Sequence, residues 1–171
     1  MSVTIREAQA GDAPFVSWAI NTAARSHRPI GWFDIMLGTP EPEVLAFLKE
    51  VVTAECRSWW HWSKFLIADD GGRAIAALCR FRAGDGYGLS EEAIAEVVKR
   101  RKLGEAELQA MWNRGAYMFS CLMEPHDDFW TVENVGRRCP STVAAASLGH
   151  LSRARSMTGA SKASAMRRSR F

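Results

Sequence analysis

Few side chains in this sequence combine a reactive type with a telling position. Glu133 stands near the end of "FWTVENV", a run of large and β-branched residues that reads as a strand. A carboxylate there would be partly desolvated, the setting in which enzymes find their bases; it could equally point outward or pair with an arginine. His61 lies inside "CRSWWHWSKF", between Trp59, Trp60 and Trp62. That cluster reads either as an aromatic wall with a proton-transfer group or as large rings packing where a strand begins. Asp34, in "IGWFDIMLG", has the ordinary reading of a helix cap. Cys56, Cys79, Cys121 and Cys139 are scattered with no paired spacing, so no metal is expected, and Cys79 and Cys121 read as small buried hydrophobes. His27, His126 and His150 have no partners in pattern, and no Ser or Cys sits in a nucleophile motif.

The elements that must hold these residues follow from periodicity. "VTIREA" alternates as a half-buried first strand. Asp12 is placed to cap a helix, Pro14 suits its first turn, and Phe15, Val16, Ala19, Ile20 and Ala23 recur at helical spacing to about Ala24. "HRPIGWFDIMLGTPEPE" reads as a loop or short-helix region, and Pro42 and Glu43 open a helix with Val44, Leu45, Phe47, Leu48, Val51 and Val52 on its apolar face. "DDGG" is a hairpin turn between Leu66–Ala68 and Ile75–Phe81, predicting two antiparallel strands. Ser90 starts one further helix and Gly104 separates it from another, before "EPHDD" breaks the pattern ahead of "FWTVENV". The order β-α-α-β-β-αα-β predicts an α/β (α+β) domain around a mixed, mostly antiparallel sheet flanked by helices.

Charge divides the chain sharply. At 171 residues and 47% hydrophobic content, one domain is the expectation. Residues 1–135 carry 14 basic and 19 acidic residues, a net −5, and all seven Trp. Residues 136–171 carry eight basic residues and no acid, and are rich in Ser, Ala and Arg. A boundary near residue 135 follows, with a basic tail after it. The tail could contact nucleic acid or another anionic partner, but it has no interleaved aromatics and no recognisable module, and a solvated tail is the plainer reading. No apolar run approaches a membrane span and the N-terminus lacks a signal layout, so a cytoplasmic protein without a membrane partner is expected.

Taken in order, "TIREAQAGDAPFV", the two-helix segment, the hairpin "FLIADDGGRAIAALCRF" and "WTVENV" resemble the GNAT superfamily of N-acetyltransferases over residues 3–135. The resemblance implies acetyl transfer from acetyl-CoA to a primary amine, on a small molecule or a protein. It implies Glu133 as general base, since the attacking amine must be neutral. Asn134, Val135 and Gly136 would fall where the strand meets the cofactor. Trp32, Phe33 and Asp34 would line the acceptor cleft, Asp34 attracting an ammonium.

The family's strand leads into a glycine-containing loop whose backbone N–H groups cradle pyrophosphate. Here the chain reads "GRRCPSTVAAASLGHL" instead. Back-translated and shifted by one base, Cys139 to Ser147 can spell Leu-Pro-Glu-Tyr-Arg-Gly-Arg-Gly-Leu. The hypothesis is that the tail is an out-of-frame reading of that segment after a one-base change near codon 136. Resequencing the gene is decisive, because a gene in which no single-base change opens that frame rules it out. As written, the C-terminal part of the fold is expected to be incomplete or atypical, with weak acetyl-CoA binding and little or no activity. A sheet edge left open would favour pairing between copies, a homodimer included.

Overall fold

The computed structural model describes residues 3–82, 84, 87–121 and 130–138. Its sheet has four strands, β1 (Val3–Glu7), β2 (Phe65–Asp70), β3 (Arg73–Arg82) and β4 (Trp130–Arg137), antiparallel in that spatial order. The helices are α1 (Ala13–Arg25), α2 (Trp32–Leu37), α3 (Glu41–Val52), α4 (Ser90–Arg101) and α5 (Glu105–Gly115). This is the mixed α/β architecture expected, with β2 and β3 extending at both ends beyond Leu66–Ala68 and Ile75–Phe81. Residues Met1–Arg137 form one compact unit. Cys121's side chain, His126, Cys139 and His150 lie outside the described residues, as does the written tail beyond Arg138.

The β2–β3 hairpin closes through Gly71 and Gly72, with φ of 63° and 88°, between paired Asp70 and Arg73. Two successive positive φ values define the hairpin turn whose twist matches the strands, and only glycine adopts them freely. The Gly72 N–H donates to Asp69 Oδ1 at 2.6 Å.

One face of the sheet carries Phe65, Ile67, Ala77, Cys79 and Phe81 into the core. Against it pack Val16, Ala19 and Ile20 of α1 and Val44, Phe47, Leu48, Val51 and Val52 of α3, residues marked by helical spacing in the sequence, whereas Leu45, expected on the same face, is only half-buried and outside this core. Ala93, Ile94 and Val97 of α4 and Met111 of α5 extend this core.

One local expectation needs correction, and one open reading is decided. Asp12 precedes α1 but makes no cap bond to it. Its carboxylate accepts from Arg6 (2.7 and 2.9 Å) and from the Gln9 N–H (2.7 Å), because a guanidinium fork on β1 is the stronger partner. Of the loop and short-helix readings of the region before α3, the short helix holds: α2 is six residues long. Such a short helix is marginal alone and is held from outside. Arg114 of α5 donates from Nε to the Met36 carbonyl and from a terminal nitrogen to the Leu37 carbonyl, both at 3.0 Å, satisfying the open end of α2. The Trp32 indole N–H in turn donates to the Gly115 carbonyl at 2.9 Å.

Candidate active site

Glu133 lies in the middle of β4, paired with Cys79 of β3. Cross-strand partners share a face, so the carboxylate stands on the side occupied by the core rather than on the open side. It is half-buried, and the Tyr87 hydroxyl donates to its Oε1. Tyr87 belongs to the short turn Tyr87–Leu89 that leads into α4. Burial first, then the hydrogen bond and negative charge of Glu133, push the phenol's pKa well above its ordinary value. Tyr87 therefore stays protonated and acts as a donor. The same carboxylate lies near Cys79, whose thiol is pushed up to about 12, mainly by burial. Cys79 donates to the Trp59 carbonyl at 3.0 Å and is an inert neutral group.

The wall around this pair is aromatic. Tyr87 meets Trp59 and Phe81 edge-on at 5.4 and 5.0 Å, and Trp59 stacks on Phe81 at 5.3 Å. Trp59 also contacts Trp60 at 4.9 Å, and Trp60 reaches Phe33 and Trp32. The Trp59 indole N–H donates to Ser90 Oγ at 2.8 Å, fixing the start of α4 beside the wall. The packing reading of "CRSWWHW" holds: Trp59 and Trp60 pack with Phe81, Tyr87, Trp32 and Phe33. His61 is engaged with Ser63. Its Nδ1 accepts from the Ser63 N–H at 3.2 Å and lies 2.7 Å from Ser63 Oγ, starting the turn Trp62–Lys64. Burial, with Arg57 and Lys64 nearby, pushes its pKa down to about 4, so it is neutral near pH 7.

Directly after Glu133 the ladder is broken. Ala77 pairs with Gly136 and Cys79 with Glu133, so Asn134 and Val135 together face Leu78. This is a bulge, with Asn134 at φ 52° in the left-handed region that Asn tolerates better than other side chains. The Asn134 Nδ2 is buried without a hydrogen-bond partner. Val135 turns outward, and Gly136 is pressed on α1: a Cβ there would lie 2.9 Å from Cα and Cβ of Ala19. The three positions assigned to the cofactor therefore coincide with the one interruption of β4.

Trp32, Phe33 and Asp34 sit elsewhere in the same aromatic chain. Trp32 and Phe33 are buried in the core. Asp34 accepts a two-pronged bond from Arg25 at 2.6 and 2.7 Å and a third from the Gly31 N–H at 2.7 Å. Arg25 and this backbone bond hold its pKa below the ordinary 3.8. Its negative charge is already matched, so an acceptor ammonium would compete with a guanidinium fork. Tyr87 was invisible as a site residue in the sequence, since "GDGYGLS" signals only a loop.

Neither the family models nor the curated proteins contain a match to this chain. Solved structures do resemble it. One described as "The crystal structure of acetyltransferase" superposes with a TM-score of 0.56 at 15% identity, covering 91% of this chain and 76% of its own. An N-acetyltransferase from Staphylococcus aureus Mu50 gives 0.49 at 13% identity over 80% and 66% of the two chains. At that identity the likeness concerns architecture. With its four-stranded antiparallel sheet and flanking helices among the described residues, this chain shares the fold of the first of these structures.

Proposed function

We propose that this domain is an acetyl-CoA-dependent N-acetyltransferase in design, with Glu133 as the base that accepts the amine proton. The observation that carries it is the Tyr87–Glu133 pair: a half-buried carboxylate oriented by a phenol, walled by Trp59 and Phe81, immediately before the bulge in β4. Acetyl-CoA, when bound, supplies the thioester. The neutral amine attacks its carbonyl carbon, the C–N bond forms, the C–S bond breaks, and the thiolate leaves. Glu133 removes the extra proton from the attacking nitrogen, directly or through one water. Tyr87 keeps the carboxylate in one orientation, and the aromatic wall excludes water from it. At Asn134 and Val135 the unpaired backbone offers hydrogen-bonding groups of the kind an amide-bearing cofactor arm requires.

The described residues fit that cofactor only in part. The bulge is present, but "GRRC" offers no run of glycine amides for a pyrophosphate. The chain as written is accordingly proposed to bind acetyl-CoA weakly and to turn over little. The test is calorimetric titration with acetyl-CoA, together with thiol release across a panel of primary amines. Both are run on the written chain and on the protein whose tail frame is restored. Weak binding by the first and turnover by the second is expected, with Glu133→Gln lowering turnover by roughly 10²–10⁴-fold while leaving acetyl-CoA binding intact. If neither protein binds acetyl-CoA, the enzyme assignment is wrong.

A further inference from the structure

A pocket that the acetyl-transfer chemistry does not use lies at the end of the sheet away from the β4 bulge. It has a volume of about 200 Å³, and Glu7, Ser63, Lys64, Arg80, Arg82 and Trp130 line it. Side chains alternate along a strand, so Arg80 and Arg82 leave β3 on the face opposite Cys79 and Phe81, about 7 Å apart along the chain. Val132 and Trp130 of β4 stand directly across from them. Glu133 pairs with Cys79 and points the other way, so the pocket and the Glu133 site occupy opposite sides of the sheet.

Two features of this pocket are unfavourable while it is empty. The first is charge. Residues 1–135 carry 14 basic and 19 acidic residues, yet three cationic side chains and one carboxylate meet here. Glu7 pairs with Arg80, but both are exposed and such pairs are weak. Arg82 lies over the Trp130 ring, its Cζ 5.9 Å from the centroid. A ring attracts a cation without neutralising it. Among the described residues neither Arg82 nor Lys64 has a carboxylate within ion-pair distance. Cations gathered within one screening length repel each other. The second feature is the indole itself: Trp130 is 62% exposed and leaves much of a large apolar ring in water.

One kind of ligand relieves both. Guanidinium groups present forked donors that match phosphate or carboxylate oxygens, and a flat ring covers the indole. The volume lies below the roughly 300–1,000 Å³ of pockets that take larger molecules, which limits the ring to one. We propose that this pocket binds a small aromatic anion, a single planar ring bearing a phosphate or carboxylate. Arg80, Arg82 and Lys64 hold the charge and Trp130 the ring. The site is independent of the acetyltransferase reading, and its test measures no turnover.

The full chain is titrated calorimetrically with phenyl phosphate and benzoate, beside inorganic phosphate and acetate (charge without ring) and benzyl alcohol (ring without charge). At least one aromatic anion is expected to bind more tightly than its ring-free counterpart, with no binding of the alcohol and weaker binding as salt is added. The tighter of the two identifies the charged group as phosphate or carboxylate. Arg82→Gln is expected to weaken that ligand roughly tenfold or more. Trp130→Ser should remove the advantage of the ring and leave inorganic phosphate unaffected, and Glu7→Gln, by freeing Arg80, should tighten binding. Resonances of the Trp130 indole N–H and the Arg82 Nε–H should move on titration, a readout that needs no variant to fold. The proposal is overturned if neither aromatic anion binds, if ring-free anions bind as well, or if Arg82→Gln or Trp130→Ser changes nothing. Weaker binding in Glu7→Gln overturns it too. So does competitive displacement of the aromatic anion by coenzyme A, which assigns the pocket to the cofactor.

Discussion

At the scale of single residues, the ionisable groups divide into those that hold the fold and those that could do chemistry. Asp12 and Asp34 are held below their ordinary pKa, each chiefly by the arginine bonded to it. A depressed carboxylate contributes stability that is present above its unfolded value and is lost as pH falls through its folded value. Acid unfolding should therefore set in below about pH 4, and Asp34→Asn should shrink that acid-sensitive component in a pH series of thermal melts. His61 behaves likewise for a base. It is neutral when folded but protonates at about 6.5 when unfolded, so its contribution is full above that pH and declines toward about pH 4. His61→Asn, which keeps an acceptor near the Ser63 N–H, should flatten the stability profile between those limits in the same series of melts. Tyr87→Phe removes one hydrogen bond to Glu133 and should cost about 1 kcal/mol in denaturant melts. Its effect on turnover should be larger than its effect on folding, because the ring packing against Trp59 and Phe81 survives. The sequence marked Glu133 as a strand carboxylate but placed it near the strand's end, whereas β4 runs on to Arg137; its partner was not legible, because Tyr87 is 46 residues away and meets it only through the turn before α4.

At the scale of elements, the bulge in β4 is the feature with most consequence. It needs a left-handed residue at Asn134 and a side-chain-free residue at Gly136, and "VENVG" supplies both. Asn134→Val should destabilise by roughly 1–2 kcal/mol, since β-branched residues resist that conformation, while Asn134→Gly should be neutral or better. Gly136→Ala forces a methyl onto the α1 backbone at Ala19 and should cost about 1–3 kcal/mol. Chemical denaturation of the three variants checks the ranking. Strand and helix positions were readable here because period and turn chemistry are local, as the two glycines of the hairpin show. The bulge was not, because it is a property of the register between β3 and β4.

For the whole molecule, charge divides the chain near residue 135, with all 19 acidic residues before it and eight basic residues after it. A chain ending after Arg138 should keep the helix and strand signals of the written chain and its thermal midpoint within a few degrees. It retains Arg137 and Arg138 and loses the other six of the tail's eight basic residues. Retention on an anionic resin should weaken accordingly, more at low salt than at high. A collapse of the midpoint on truncation would mean that the tail contributes to the core.

What the sequence determined alone was the set of elements, the faces of α1 and α3, the hairpin, the basic tail and the resemblance carried by "FWTVENV". These depend on residues close along the chain, where steric and periodic rules apply directly. Tertiary structure decided the rest. It decided that Asp34 is matched by Arg25, that His61 props a turn, that Tyr87 orients Glu133, and that α2 leans on Arg114. Each of those outcomes depends on which distant groups compete for the same partner, and only folding brings the competitors together.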